Sequence, residues 1–454
     1  MKSVGHSRQL FWLVAPLVLG LVTVLVWWFP VEKPDAALGR FSYPEFLLAI
    51  GVTVSFASVL SLALTGPETR RRRVFQLVAV FISGGCALAV AELVATILPP
   101  VNNPFSQLNL GDTLDDTGAE LRLPYVRPPH IHWEGVTFGN IGEWQPDELD
   151  QQVVIFETDQ DGFRNCEDLF QADLVFIGDS FTEAGNVSEE ESFVRLAAEE
   201  LNLTARNLGL SGIPPPAEAV ILERFGLPCD PQVVVWQIYE GNDLPEAWRY
   251  DSWRQAGYPT MTRQQGTSRW EQWSLSYRLF RQFVPRERDW LAGHFRCSDG
   301  SQRTVRFGFT PSPDWIPVLP NGQEHSGWKP IVDAVSLGSR LLHERKIRLI
   351  VVHIPAKMTV MGEHVEFDGW SKQQGIPRAT RVPTPFSMAT HLAVVCDRLG
   401  VSFIDSTESL IAHSQNGELV YFPSDTHLAP DGHAVISRLV VDAISAGSGS
   451  VTHE

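Results

Sequence analysis

The chain has 454 residues, enough for two or three domains. Its 53 acidic residues against 36 basic give a formal charge of −17. That excludes a protein whose main partner is nucleic acid, because phosphate recognition needs clustered positive charge. A hydrophobic content of 44% excludes a wholly disordered chain.

The charge is unevenly spread. Residues 1–100 carry eight basic and five acidic side chains, a net of +3, so the other 354 residues carry −20. Within the first part, Leu10 to Phe29 and Phe46 to Thr65 are uncharged apolar runs, and Val74 to Leu98 is interrupted only by Glu92. A run of that length spans ~30 Å as a helix, the thickness of a bilayer core. None shows the polar face of a soluble bundle helix, so three transmembrane helices are expected. Glu92, near the outer end of the third, is expected to reach the headgroups or to pair within the bundle. Lys2 and Arg8 precede the first run, and Arg70 to Arg73 lie between the second and third. Placing both positive clusters in the cytoplasm leaves everything after Pro100 outside it, periplasmic where the host has an outer membrane.

Residues 101–165 read as a Pro-, Gly- and acid-rich linker leading into short strands. From Asp173 the rhythm changes. Leu174 to Ile177 suits a buried parallel strand and Glu189 to Leu201 a helix. Ala205 to Leu208 is a strand, Pro216 to Phe225 a helix and Val233 to Tyr239 a strand. Ile331 to Arg345 is a helix and Leu349 to Ile354 a strand. Ser387 to Leu399 is a helix, Val401 to Ile404 a strand, and Pro430 to Ile444 a closing helix. This alternation predicts a doubly wound parallel α/β sheet over residues 166–446, followed by a tail at 447–454. An insertion at 244–329 holds seven of the 14 tryptophans.

Ligands of such sheets bind beyond the carboxyl ends of the strands, so the residues there carry the chemistry. They are Gly178-Asp179-Ser180, then Asn207 to Gly212, then Gly241-Asn242-Asp243, and Asp425-Thr426-His427 near the end. No dinucleotide fingerprint or Walker loop occurs, and the five cysteines match no zinc pattern. No cofactor or metal is expected. Cys166, Cys229, Cys297 and Cys396 could form one or two disulfides or stay as thiols.

In order and spacing these four blocks resemble the SGNH (GDSL-type) hydrolase family, over about Asp173 to Ser445 apart from the insertion. The resemblance implies a flavodoxin-like sheet and a serine esterase or O-acyltransferase. Most of the family place Asp three residues before His; here the gap is two. That gap, Thr426, and Ile354-Pro355-Ala356-Lys357 after the fourth strand look like the alginate O-acetylation branch. The −20 charge argues against a polyanionic polymer, unless the arginines of the insertion gather near the site, and leaves neutral or basic glycans.

The roles follow from chemistry. Ser180 is the expected nucleophile and His427 its base. Asp425 would orient the imidazole, since residues two apart in an extended segment face the same side. The Ser180 and Gly212 amides with the Asn242 side-chain amide would form the oxyanion hole. Asp179, Lys357 and Trp248 are candidate substrate contacts, although Asp179 also suits a turn and Lys357 a solvated surface. A second pair, Asp431-Gly432-His433, follows Pro430 at a helix start, where Asp431 suits the helix dipole and His433 packing. His353 and His391 have no acidic partner nearby in sequence. The expected substrate is an acylated envelope glycan or another ester, handled at the membrane, with other envelope polysaccharide-modification proteins as partners. A lipase or thioesterase acting on membrane lipids and a non-catalytic glycan-binding component are the alternatives.

Overall fold

A computed structural model describes residues 123–137, 152–258, 290–308, 316–374 and 384–448, with positions 141 and 150 and isolated positions between 66 and 82. The expected spans and Glu92 lie outside these residues apart from the isolated positions, as do Cys86, Trp270, Trp273, Trp315 and most of the tail. Among the described residues no helix is long and apolar enough to cross a membrane. The chain divides into two units, Met1–Val101 with Thr262–Glu287, and Asn102–Met261 with Arg288–Glu454. Every element named below belongs to the second.

A hairpin of β1 (His132–Val136) and β2 (Val153–Glu157) comes first. The central sheet follows, with β3 (Leu174–Gly178), β4 (Ala205–Gly209), β5 (Val233–Tyr239), β8 (Arg348–Ile354) and β10 (Ser402–Asp405). All four pairings are parallel and the order is β4-β3-β5-β8-β10. The three central strands β3, β5 and β8 are near-continuous apolar runs because both their faces are covered. The order is that of the flavodoxin-like doubly wound fold, and it reverses between β3 and β5.

Alternate residues feed two cores. Val175 and Ile177 join one with Trp236, Ile238 and Val351; Leu174 and Phe176 join the other with Val235, Ile350 and Val352. The first core is closed by α3 (Pro215–Ile221), α4 (Asp243–Gln255), α5 (Trp328–Glu344) and α8 (Met388–Leu399). The second is closed by α2 (Phe193–Leu201), α6 (Lys357–Met361), α9 (Thr407–Gln415) and α10 (Pro430–Ser448). Two short helices, α1 (Ser180–Glu183) and α7 (Gly369–Gln373), lie in the same unit.

The insertion contributes strands of its own. Its β6 (Trp290–Arg296) and β7 (Gln302–Gly308) pair antiparallel, and β9 (Val365–Phe367) joins β6. Leu291, Phe295, Val305 and Phe307 enter the second core from this small sheet.

Candidate active site

The β3–α1 turn presents Ser180. β3 ends at Gly178, and Ser180 opens α1. A Cβ at Gly178 would lie 2.3 Å from Thr182 Oγ1 and 2.4 Å from Gln237 Oε1, so any other residue would displace the two side chains packed against this turn. Gln237, inside β5, accepts the Asp179 N–H at 3.2 Å and the Thr182 hydroxyl at 3.0 Å. Asp179 is buried, and its Oδ1 caps α1 by accepting the Phe181 N–H at 2.9 Å. The expectation that Asp179 meets substrate is therefore corrected: it builds the turn. Burial raises its carboxyl pKa, against the Phe181 amide and the charge of His427. Arg164 closes the far end of α1 by donating to the carbonyls of Glu183, Ala184 and Val187.

Asp425 and His427 lie in a loop pinched by a Tyr421–Leu428 bridge and by Phe422 N–H donating to the His427 carbonyl at 3.2 Å. Asp425 Oδ1 is 2.6 Å from His427 Nδ1 and also accepts the His427 backbone N–H at 2.9 Å. His427 Nε2 is 2.8 Å from Ser180 Oγ. A carboxylate beside Nδ1 selects the tautomer with its proton there. Nε2 is then bare, free to accept the serine proton. The Phe181 ring packs 5.0 Å from the imidazole. Burial disfavours the charged ring, but the carboxylates of Asp425, Asp179 and Glu183 outweigh it, and the His427 pKa is raised.

Lys357 supports this loop from beneath. It is only 3% exposed, and its Nζ lies 2.6–3.0 Å from the carbonyls of Arg306, Phe422, Pro423 and Asp425. Burial pushes its pKa down to about 7, against the pull of Asp150 and Asp425. The expectation of a substrate contact or a solvated surface lysine is corrected: every N–H of the ammonium is turned into backbone. Asp150 accepts the Ser424 N–H at 2.8 Å, and Arg306 of β7 donates to the Ser424 hydroxyl. Tyr421 donates to the Pro355 carbonyl at 2.5 Å.

Gly212 follows β4, and Asn242 heads α4 directly after β5. These strands flank β3, so both residues share the sheet edge with Ser180. Gly212 has φ +68 and a Cβ there would meet nothing within 4 Å, so the turn is open on that side. Asn242 Oδ1 is buried without a partner. Trp248, on α4, is 51% exposed. Behind Asn242, burial pushes the Glu246 carboxyl up to about 7.

The other three histidines singled out from the sequence are engaged elsewhere. His433 is buried on α10, stacks on Phe193 at 5.7 Å and accepts the Phe193 N–H at 3.3 Å. Burial pushes its pKa down to about 3. His353, near the end of β8, is buried, and the exposed Asp405 of β10 lies 3.2 Å from its Nδ1. Its partner is brought in by strand pairing across 52 residues, which the sequence does not display. His391 faces the Ser387 carbonyl at 3.0 Å. Cys166, Cys229, Cys297 and Cys396 are free thiols, so the disulfides considered from sequence do not form.

Sequence reasoning also missed Gln237, Arg164, Arg306 and a buried pair, Arg127 with Glu183. Arg127 Nε and Nη2 bond the Glu183 carboxylate at 2.6 and 2.8 Å. The only sequence signal for these was a charged or amide residue beside an apolar run.

No family model matches the chain, and no curated protein does. Among solved structures it is similar to a GDSL-like lipase from Bacteroides thetaiotaomicron, at 11% identity over 60% of this chain and 88% of that one, with a TM-score of 0.29. It is also similar to a catalytic mutant of the acetylxylan esterase Axe2 from Geobacillus stearothermophilus, at 11% identity over 60% and 93%, TM-score 0.32. A third is the psychrotrophic esterase EstA from a Pseudoalteromonas species, at 10% identity over 61% and 100%, TM-score 0.30. Identities and TM-scores of this size assign this chain neither a family nor a substrate.

Proposed function

We propose that this chain is a serine hydrolase of the SGNH type acting on ester bonds, anchored in the membrane with its catalytic domain outside the cytoplasm. The observation that carries the chemistry is the relay Ser180 Oγ–His427 Nε2–Nδ1–Asp425, at 2.8 and 2.6 Å. A serine hydroxyl is a poor nucleophile until a base within hydrogen-bond reach takes its proton.

Ser180 Oγ adds to the ester carbonyl as His427 Nε2 takes its proton. Asp425 holds the imidazolium that forms. The carbonyl oxygen becomes an oxyanion facing the N–H groups of Ser180 and Gly212 and the Asn242 carboxamide. The C–O bond to the leaving alcohol breaks, and His427 returns the proton to that alcohol. Water then repeats the sequence on the acyl-enzyme and gives an esterase; a sugar hydroxyl in its place gives an O-acyltransferase.

The substrate in this reading is an O-acyl group on a neutral or basic envelope glycan. The charge of −20 outside the first hundred residues disfavours a polyanion such as alginate. The exposed Trp248 ring, on the helix that Asn242 opens, offers an apolar face to a sugar ring. The anchor is supported by the three apolar runs. Val74, Val78 and Ile82 add to that support, being helical, exposed and four residues apart.

Replacing Ser180 by Ala tests the chemistry. Turnover of aryl acetates and labelling by a fluorophosphonate are expected to disappear while the melting temperature is kept. Labelling that persists in Ser180→Ala would refute the assignment. Parallel assays of acetyl release from, and transfer to, a glycan separate hydrolysis from transfer.

A further inference from the structure

Tyr125 precedes every strand among the described residues, yet its hydroxyl donates to the carbonyl of Ser211, 86 residues later. Ser211 belongs to a tight turn from Leu210 to Ile213, closed by Ile213 N–H on the Leu210 carbonyl at 3.2 Å. Gly212 occupies the third position with φ +68. A positive φ there, with none at Ser211 in the second position, marks a type II turn. Types I and II differ by a half-rotation of the central peptide, which here joins Ser211 to Gly212. A planar trans peptide points its carbonyl and its N–H in opposite directions. Whatever holds the Ser211 carbonyl therefore aims the Gly212 N–H.

The turn is gripped at a second point. The Ser211 hydroxyl donates to Glu183, and Glu183 is held by Arg127 through two bonds. The Arg127 guanidinium lies 6.0 Å from the Tyr125 ring centroid. Glu183 ends α1, the four-residue helix that Ser180 opens. One short segment, 125–127, thus ties the nucleophile helix to the Gly212 turn.

We propose that Tyr125 is a positioning residue for the oxyanion hole: its hydroxyl, by holding the Ser211 carbonyl, locks the Ser211–Gly212 peptide with the Gly212 N–H turned toward the reacting ester. This rests on the reading of Gly212 as an oxyanion donor. Losing such a donor outright lowers kcat by roughly 10²–10³. A peptide that is merely freed to rotate spends part of its time correctly aimed, so the loss is smaller.

The test is Tyr125→Phe in the full chain, with para-nitrophenyl acetate as substrate. It removes one hydroxyl and keeps the ring. The expected result is a kcat about tenfold lower with KM within about twofold, since the donor acts on the transition state. Inhibition by phenylboronic acid, which forms a tetrahedral adduct on a reactive serine, should weaken by the same factor. In a cycle with Gly212→Ala the two effects should be non-additive, because both act through one peptide. A lower melting temperature with kcat and boronate inhibition unchanged would overturn the role of Tyr125 and leave the esterase reading intact. A wild-type chain with neither turnover nor fluorophosphonate labelling would overturn the esterase reading, and the role of Tyr125 with it.

Discussion

Lys357→Met separates a loop clamp from a substrate contact. In the structure the Lys357 ammonium serves four backbone carbonyls, three of them at Phe422, Pro423 and Asp425, in or beside the Asp425–His427 loop. Methionine keeps the length and the packing but supplies no donor. A buried acceptor that loses its donor costs on the order of 1 kcal/mol or more, and the ammonium shares three N–H among the four carbonyls, so the loss amounts to about 3–4 kcal/mol. The desolvation cost of the buried ammonium is relieved at the same time and offsets part of this. The expected net loss is about 2–3 kcal/mol, measured as a drop in the urea midpoint at unchanged m. The loop also sets the 2.8 Å between His427 Nε2 and Ser180 Oγ. A displacement of about 1 Å in such geometry costs on the order of 100-fold, so kcat should fall at least tenfold while KM stays within about twofold. A solvated lysine that touches substrate would behave in the opposite way, with KM raised and the urea midpoint unmoved. That second pattern would refute the clamp.

Two further predictions concern the groups around it. The His427 pKa is raised chiefly because Asp425 and its neighbours outweigh burial, and only the neutral ring can take the Ser180 proton. Activity should therefore rise with pH through a limb above the ordinary value of about 6.5. In Asp425→Asn this limb should move to lower pH and kcat should fall by roughly 10³–10⁴; a pH–rate profile for both chains decides it, and an unmoved limb counts against His427 as the base. Arg127→Met leaves the buried Glu183 carboxylate without its guanidinium. Breaking such a pair from one side costs about 3–5 kcal/mol, readable by urea denaturation, and a loss under about 1 kcal/mol would show that the pair is not holding the segment to α1.

Much of the sheet is legible in the sequence because its central strands are short apolar runs covered on both faces. Leu174 to Ile177 and Val233 to Tyr239 can hardly be anything but interior strands, and the helices between them keep their apolar spacing. The insertion is less legible. β6 reads Trp-Leu-Ala-Gly-His-Phe-Arg, with small and polar residues that blur any alternation. Seven tryptophans mark the segment but not its form: it supplies two strands to a small antiparallel sheet that packs on the second core.

The site divides in the same way. Asp425 and His427 are two residues apart, and local geometry suffices to pair them. Ser180 stands out because glycine precedes it at a strand end. Those placements, and the acidity outside the first hundred residues, belong to the sequence itself. Strand order, the 247-residue reach from Ser180 to His427, and the partners of Lys357, Asp179, Tyr125 and His353 were decided only by tertiary structure. The physical reason is that a charged or hydroxyl side chain reads as surface in a linear pattern. What buries it is a set of acceptors the fold delivers from elsewhere, and backbone carbonyls such as those around Lys357 leave no trace in the identity of the residues that bear them.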